Sequence, residues 1–183
     1  FTFTTRSAFA PGAPSGFTAS AVATDQIDLG WTLGVNSDRT YVEWNSSSVW
    51  SLGEGTLLYN DSGTGTSHSG LDAHTTYYYQ AWGWNETDKV FSSVFASDDD
   101  TTWNTVPVLG VPDPVNGSTG VDLSLVWSVS VSDGDGDSFD WSIECSNGDV
   151  NSSSGDVDGV KELDIAGLDY GTVYTVWVNA TDG

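Results

Sequence analysis

Apolar residues recur at every second position along most of this chain, and that alternation limits it to folds built from half-buried strands. In VDLSLVWSVSV, Val121, Leu123, Leu125, Trp127, Val129 and Val131 fall on one face of an extended segment. DQIDLGWTL does the same with Ile27, Leu29 and Trp31, and FDWSIEC with Phe139, Trp141, Ile143 and Cys145. Helical spacing is nearly absent, and Gly, Asn and Asp punctuate the apolar runs as turn residues do. Many short strands at this spacing predict an all-β protein of sandwich type.

Two sandwiches fit the 183 residues better than one. DDDTTWNTVPVLGVPDP is polar and then proline-rich, and reads as a boundary near Thr101 to Pro107. The run SDDD at Asp98 to Asp100 reads as solvated linker. Each half also carries the pattern Leu-Asp-x-x-Thr-x-Tyr: Leu71, Asp72, Thr75 and Tyr77 in the first, Leu168, Asp169, Thr172 and Tyr174 in the second, 97 residues on. This is the sequence pattern of a tyrosine corner, in which a Tyr at the start of the sixth strand bonds upstream backbone.

The residues Pro14, Ile27, Leu29, Trp31, Leu71, Thr75, Tyr77 and Ala81 resemble a fibronectin type III domain over about 14–101. GEGTLLYNDSGTGTSHSGLDAHTTYYYQAWGWNET is similar to the version found in large surface proteins of methanogens and related archaea. PDPVNGSTGVDLSLVWSVSVSDGDGDSFDWSIECSNG, with LDYGTVYTVWVNATDG, resembles the Ig-like repeats of the same proteins. The resemblance implies a secreted, structural or adhesive repeat protein with no enzymatic activity. The expected plan is an N-terminal strand and linker over 1–13, a fibronectin type III-like sandwich over 14–101, a linker over 102–106, and an Ig-like sandwich over 107–183 that lacks its final strand.

The strand count carries that last expectation. After Tyr77 the first half continues through YYYQAWGWNE to KVFSSVFAS, which supplies a closing strand. After Tyr174 the second half offers only YTVWVNATDG. The predicted acceptor edge is Thr172 to Asn179, with Val173, Tyr174, Val176, Trp177 and Val178, and it carries neither Lys nor Pro to blunt it. FTFTT at the start, with Phe1 and Phe3 on one side, is the expected donor strand, and it resembles the last strand that follows VNATDG segments in this family. The linker from Arg6 to Ala13 reaches about 28 Å, about the length of one sandwich, so completion of the chain's own second half would need a folded-back pair of domains. Strand donation to another copy, head to tail, is therefore expected and would build a homopolymeric filament. Separate subunits and one covalent repeat array both satisfy that pairing. The chain has no Met, so an upstream leader or further sequence is expected.

Composition favours a location outside the cell. Six of nine Asn sit in Asn-x-Ser/Thr acceptor patterns, at Asn45, Asn60, Asn85, Asn116, Asn151 and Asn179, against roughly two by chance in a chain so rich in Ser and Thr. N-linked glycans are the expected modification. A net charge of −22 repels phosphates and argues against nucleic-acid partners. No apolar run reaches the roughly 18 residues of a membrane span. A lone Cys permits no internal disulfide, and Cys145 on an apolar face reads as buried and inert.

Few residues point to chemistry. Asp133, Asp135 and Asp137 alternate with Gly in SDGDGDSFDW, a pattern that can curl carboxylates around calcium. Ser138 stands where an EF-hand requires Gly, so an EF-hand is excluded even though Glu144 falls at its last ligand position. A looser calcium loop and a solvated Asp-Gly turn are both open readings. His68 and His74 read as surface residues, and no nucleophile elbow accompanies them. Trp44, Trp50, Trp82 and Trp84 cluster in the first half. An exposed coplanar row of them would make a carbohydrate-binding or adhesin module, and burial would make them core.

Overall fold

A computed structural model of the chain describes residues 1–2 and 10–182. The described residues form strands and no helix, and the chain divides into two compact units, Phe1–Asn104 and Thr105–Gly183.

The first unit has strands β1 (Ser15–Ala23), β2 (Gln26–Thr32), β3 (Arg39–Asn45), β4 (Thr56–Asp61), β5 (Gly65–Ser69), β6 (Thr76–Asn85), β7 (Val90–Phe91) and β8 (Ala96–Thr101). One sheet runs β1-β2-β5, and the other runs β4-β3-β6 with β7 and β8 both pairing β6. All the pairs are antiparallel. Alternation decides which side chains meet between the sheets: Ile27, Leu29 and Trp31 from β2 pack with Val42 from β3 and Tyr77, Tyr79 and Ala81 from β6.

The second unit repeats this plan with β9 (Val108–Leu109), β10 (Leu125–Ser132), β11 (Phe139–Cys145), β12 (Val150–Asp156), β13 (Gly159–Ile165) and β14 (Val176–Thr181). Its sheets are β13-β10-β9 and β12-β11-β14. Phe139, Trp141, Ile143 and Cys145 all face inward against Val129, Val131, Leu163 and Ile165, as their alternation requires. Both corners form. The Asp72 N–H donates to Tyr77 Oη and the Asp169 N–H to Tyr174 Oη, each at 3.0 Å. Each fixes the start of its sixth strand against the preceding loop.

Three expectations about boundaries change. First, the acidic run at Asp98 to Asp100 is strand, not linker: it lies in β8, the closing strand, which begins at Ala96 rather than at KVF. Ser97 and Asp99 face solvent, while Asp98 Oδ2 accepts the Ala19 N–H at 2.8 Å and Asp100 Oδ2 the Ala21 N–H at 2.7 Å. Both donors are on β1, the edge of the opposite sheet, so two carboxylates stitch the open side of the sandwich with charge-assisted bonds. Second, Thr102 and Trp103 belong to the first unit. Thr102 is buried and its Oγ1 donates to the Asp72 carbonyl at 2.7 Å, and the Trp103 N–H donates to Ala23 O. Third, Pro11 is buried and the Gly12 N–H donates to Val35 O at 2.8 Å, so the end of the expected N-terminal linker is packed on this unit. A Cβ at Gly34 or Gly83 would stand 2.0 or 2.1 Å from Gly12 O, which is why both positions are glycine.

A buried cation holds the hairpin of β12 and β13. Lys161 Nζ lies 2.8 Å from Asp156 Oδ2 and donates to Val157 O at 2.7 Å, and the same carboxylate accepts Trp141 Nε1–H at 2.7 Å. Lys161, Trp141 and the Val157 N–H hold the Asp156 carboxyl down at about 2.

Two outcomes follow from these contacts. Asp98→Ala or Asp100→Ala is expected to destabilise the first unit by about 1–3 kcal/mol, since each strands a β1 N–H that had a charged acceptor; urea unfolding followed by Trp fluorescence measures it. Because the folded Asp156 pKa lies below the unfolded value of about 3.9, its contribution is complete above that value and is lost as pH falls through about 2. Wild type and Asp156→Asn are thus expected to differ in unfolding free energy at neutral pH, and the difference to close by about pH 2.

Candidate functional site

The two units differ most at the sixth strand. β6 has β3 on one side and β8 on the other, where Ala96, Asp98 and Asp100 lie opposite Ala81, Tyr79 and Tyr77. β14 has β11 on one side, in register from Cys145 opposite Val176 to Asp140 opposite Thr181. Among the described residues no strand lies on its other side. The alignment of the two tyrosine corners pairs Tyr77, Tyr79 and Ala81 with Tyr174, Val176 and Val178. The first three are 6%, 1% and 0% exposed. The second three pack against the core of their unit yet stay only half buried, as do Leu125 and Trp127 on the facing strand. Among the described residues, an edge of unpaired N–H and C=O groups thus runs beside an incompletely covered apolar core.

The acceptor edge is shorter than expected. The strand begins at Val176, whereas Val173 precedes it and is almost fully exposed and Tyr174 serves as the corner. Trp177 points to the outer face and is 55% exposed. Phe1 is described and exposed, outside any strand. Phe3 and the rest of FTFTT beyond Thr2 lie outside the described residues.

At the far end of β14 the structure gathers three carboxylates. An oxygen from each of Asp133, Asp135 and Asp182 lies within 4.8 Å of one from the others. Asp182, not Asp137, is the third member. Sequence spacing could not have supplied it, because it is 47 residues from Asp135. The antiparallel register did: Thr181 opposite Asp140 sets residue 182 beside the start of β11, where the Asp-Gly loop ends. Asp133 is 6% exposed. Burial, then the neighbouring Asp135, raises its pKa. The adjacent Asp133 carboxyl and the Thr105 N–H hold Asp135 down at about 2.

The remaining candidates resolve individually. Trp82 is buried against Phe95, Trp44 packs on His68 and Tyr77, and Trp84 packs on Phe91, so these rings are core and rim and do not form an exposed row. Trp50 Nε1–H donates to the buried Glu43 carboxylate, which also accepts the Gly53 and Gly55 N–H groups and so shapes the loop 45–55. His68 is buried, contrary to expectation: its Nδ1 lies 3.1 Å from Tyr79 Oη, and burial lowers its pKa. Asn60, Asn116, Asn151 and Asn179 are exposed and Asn45 is half buried. Asn85 departs from the set. It is buried, its Nδ2 donates to Asn36 O at 2.7 Å, and its Oδ1 accepts the Asp88 N–H, so its amide is a structural cap. Cys145 is buried in the apolar core.

No protein-family model matches the chain, and no curated protein matches it. Solved structures do. FN3tt is 16% identical over 52% of this chain and 98% of its own, with a TM-score of 0.44. The sixth fibronectin type III domain of human fibronectin type III domain containing protein 3 is 16% identical over 54% of this chain and 91% of its own, with a TM-score of 0.42. A two-domain fibronectin type III segment of chicken tenascin is 17% identical over 93% of this chain and 91% of its own, with a TM-score of 0.56. The last likeness spans both units, and the fold it identifies is a tandem of fibronectin type III-like sandwiches.

Proposed function

We propose that the protein is an extracellular structural module that assembles with further copies of itself by strand addition, residues 1–5 of one copy lying along β14 of the next. The observation that carries this reading is the side of β14 that no described strand pairs: Val176 and Val178, with Tyr174 at the corner before them, are half exposed where their counterparts Tyr79, Ala81 and Tyr77 are buried. A donated strand would supply main-chain bonds along that edge, and alternate side chains would enter the gap between the sheets. Phe1 and Phe3 have the spacing for it. Burying two Phe rings gains about 1.5–3 kcal/mol each, against an association cost of at least about 4 kcal/mol, so the aromatic anchors decide whether the joint holds. The contact is head to tail and does not close on itself, so repetition gives a filament. The exposed acceptor patterns at Asn60, Asn116, Asn151 and Asn179 favour a glycosylated protein at the cell surface.

Deleting residues 1–5 from the full chain is the direct test. Self-association, read by sedimentation velocity and electron microscopy, is expected to disappear while the circular dichroism of the monomer is unchanged. A synthetic peptide of residues 1–10 is expected to raise the melting temperature of the truncated chain, and the peptide with both Phe1 and Phe3 replaced by Asp is not. Truncated protein that assembles as the full chain does would refute the proposal.

A further inference from the structure

We propose that Asp133, Asp135 and Asp182 form a calcium site that ties the end of β14 to the loop between β10 and β11. This does not rest on strand addition, because all three ligands come from one unit of one chain.

The distances fit a shared ion. Two oxygens on one calcium at about 2.4 Å lie at most about 4.8 Å apart, and one oxygen from each of these three carboxylates meets that limit with the others. Independently, the carboxylates of Asp133 and Asp135 are only half satisfied. Asp133 Oδ1 accepts the Asp135 N–H at 3.1 Å, and Asp135 Oδ2 accepts the Thr105 N–H at 2.9 Å. The remaining oxygens, Asp133 Oδ2 and Asp135 Oδ1, are buried and have no hydrogen-bond partner. Asp133 is itself more than nine-tenths buried. Backbone donors thus orient one oxygen of each pair and leave the other in a place where a lone carboxylate oxygen is costly.

Something positive must balance such a group. Arg39 and Lys89 both pair with Glu86, and Lys161 pairs with Asp156; Arg6 lies outside the described residues. The groups facing Asp133 are Asp135 and Asp182, with Asp158 Oδ1 accepting its backbone N–H, and all three are acids. A bound cation would supply the missing positive charge.

The donor chemistry selects the ion. All the side-chain ligands are hard oxygens, which excludes a preference for zinc or copper. Calcium accepts an irregular set of six to eight oxygens, with water completing the shell, whereas magnesium requires near-ideal octahedral geometry at about 2.0–2.1 Å. The bound ion would join the two sheets of the unit, since β10 belongs to one and β14 to the other.

Equilibrium dialysis of the full chain against calcium in 150 mM NaCl tests the site, with magnesium as comparator. We expect one saturable calcium per chain with a dissociation constant of about 0.1–1 mM, the range of extracellular modules. Melting of the second unit should rise by about 5–15 °C in 10 mM CaCl2 relative to NaCl of equal ionic strength. Asp135→Asn and Asp182→Asn should each weaken binding at least about tenfold, as expected for loss of one charged ligand. Asp99→Asn, on the solvent face of β8, should not. Wild type that takes up no saturable calcium, or Asp182→Asn that binds as wild type does, would overturn the proposal. The stoichiometry on unaltered protein decides even if a variant fails to fold. Residues 1–5 play no part in these readings, so loss of calcium binding and loss of assembly are separable failures.

Discussion

The backbone hydrogen bonds of the sixth strand organise everything else in each unit. A strand inside a sheet needs an acceptor and donor row on both flanks, because a buried peptide group without a partner costs as much as a lost hydrogen bond. β6 satisfies this with β3 and β8, and its unit encloses a continuous core of Ile27, Leu29, Trp31, Tyr77 and Tyr79. β14 satisfies it on the β11 side, and the core beside it thins from fully buried Val129 and Val131 to half-buried Leu125 and Trp127. The same corner and alternation therefore lead to two different surfaces, and among the described residues the difference is one strand.

Charge is distributed accordingly. Much of the −22 lies on exposed strand faces and loops. A few acids do structural work instead. Asp98 and Asp100 close the first sandwich by accepting β1 N–H groups. Glu43 shapes a loop, and Asp156 neutralises the buried Lys161. Asp133, Asp135 and Asp182 stand apart, because here acid faces acid.

Most of the fold was legible in the sequence because alternation fixes which side chains turn inward. Phe139, Trp141, Ile143 and Cys145 are buried as their spacing requires, and the two Leu-Asp-x-x-Thr-x-Tyr patterns become two corners of the same geometry. The acidic closing strand was not legible. Asp-rich segments have low strand propensity, and nothing local reveals that Asp98 and Asp100 find backbone donors 79 residues away. His68 was misplaced for a similar reason, since its partner Tyr79 reaches it from the other sheet. The acidic cluster was half legible: local spacing supplies Asp133 and Asp135, and only the β11–β14 register supplies Asp182.

Hydrogen exchange at β14 tests the central claim most directly. In dilute monomeric protein, the Val176–Thr181 amides that face away from β11 should exchange like solvent-exposed groups, while those bonded to β11 and all the core amides of β6 stay protected. On assembly the fast set should slow by at least about a hundredfold, as edge amides become ladder amides. Exchange at those amides that is already slow in the monomer, or unchanged on assembly, would contradict the account.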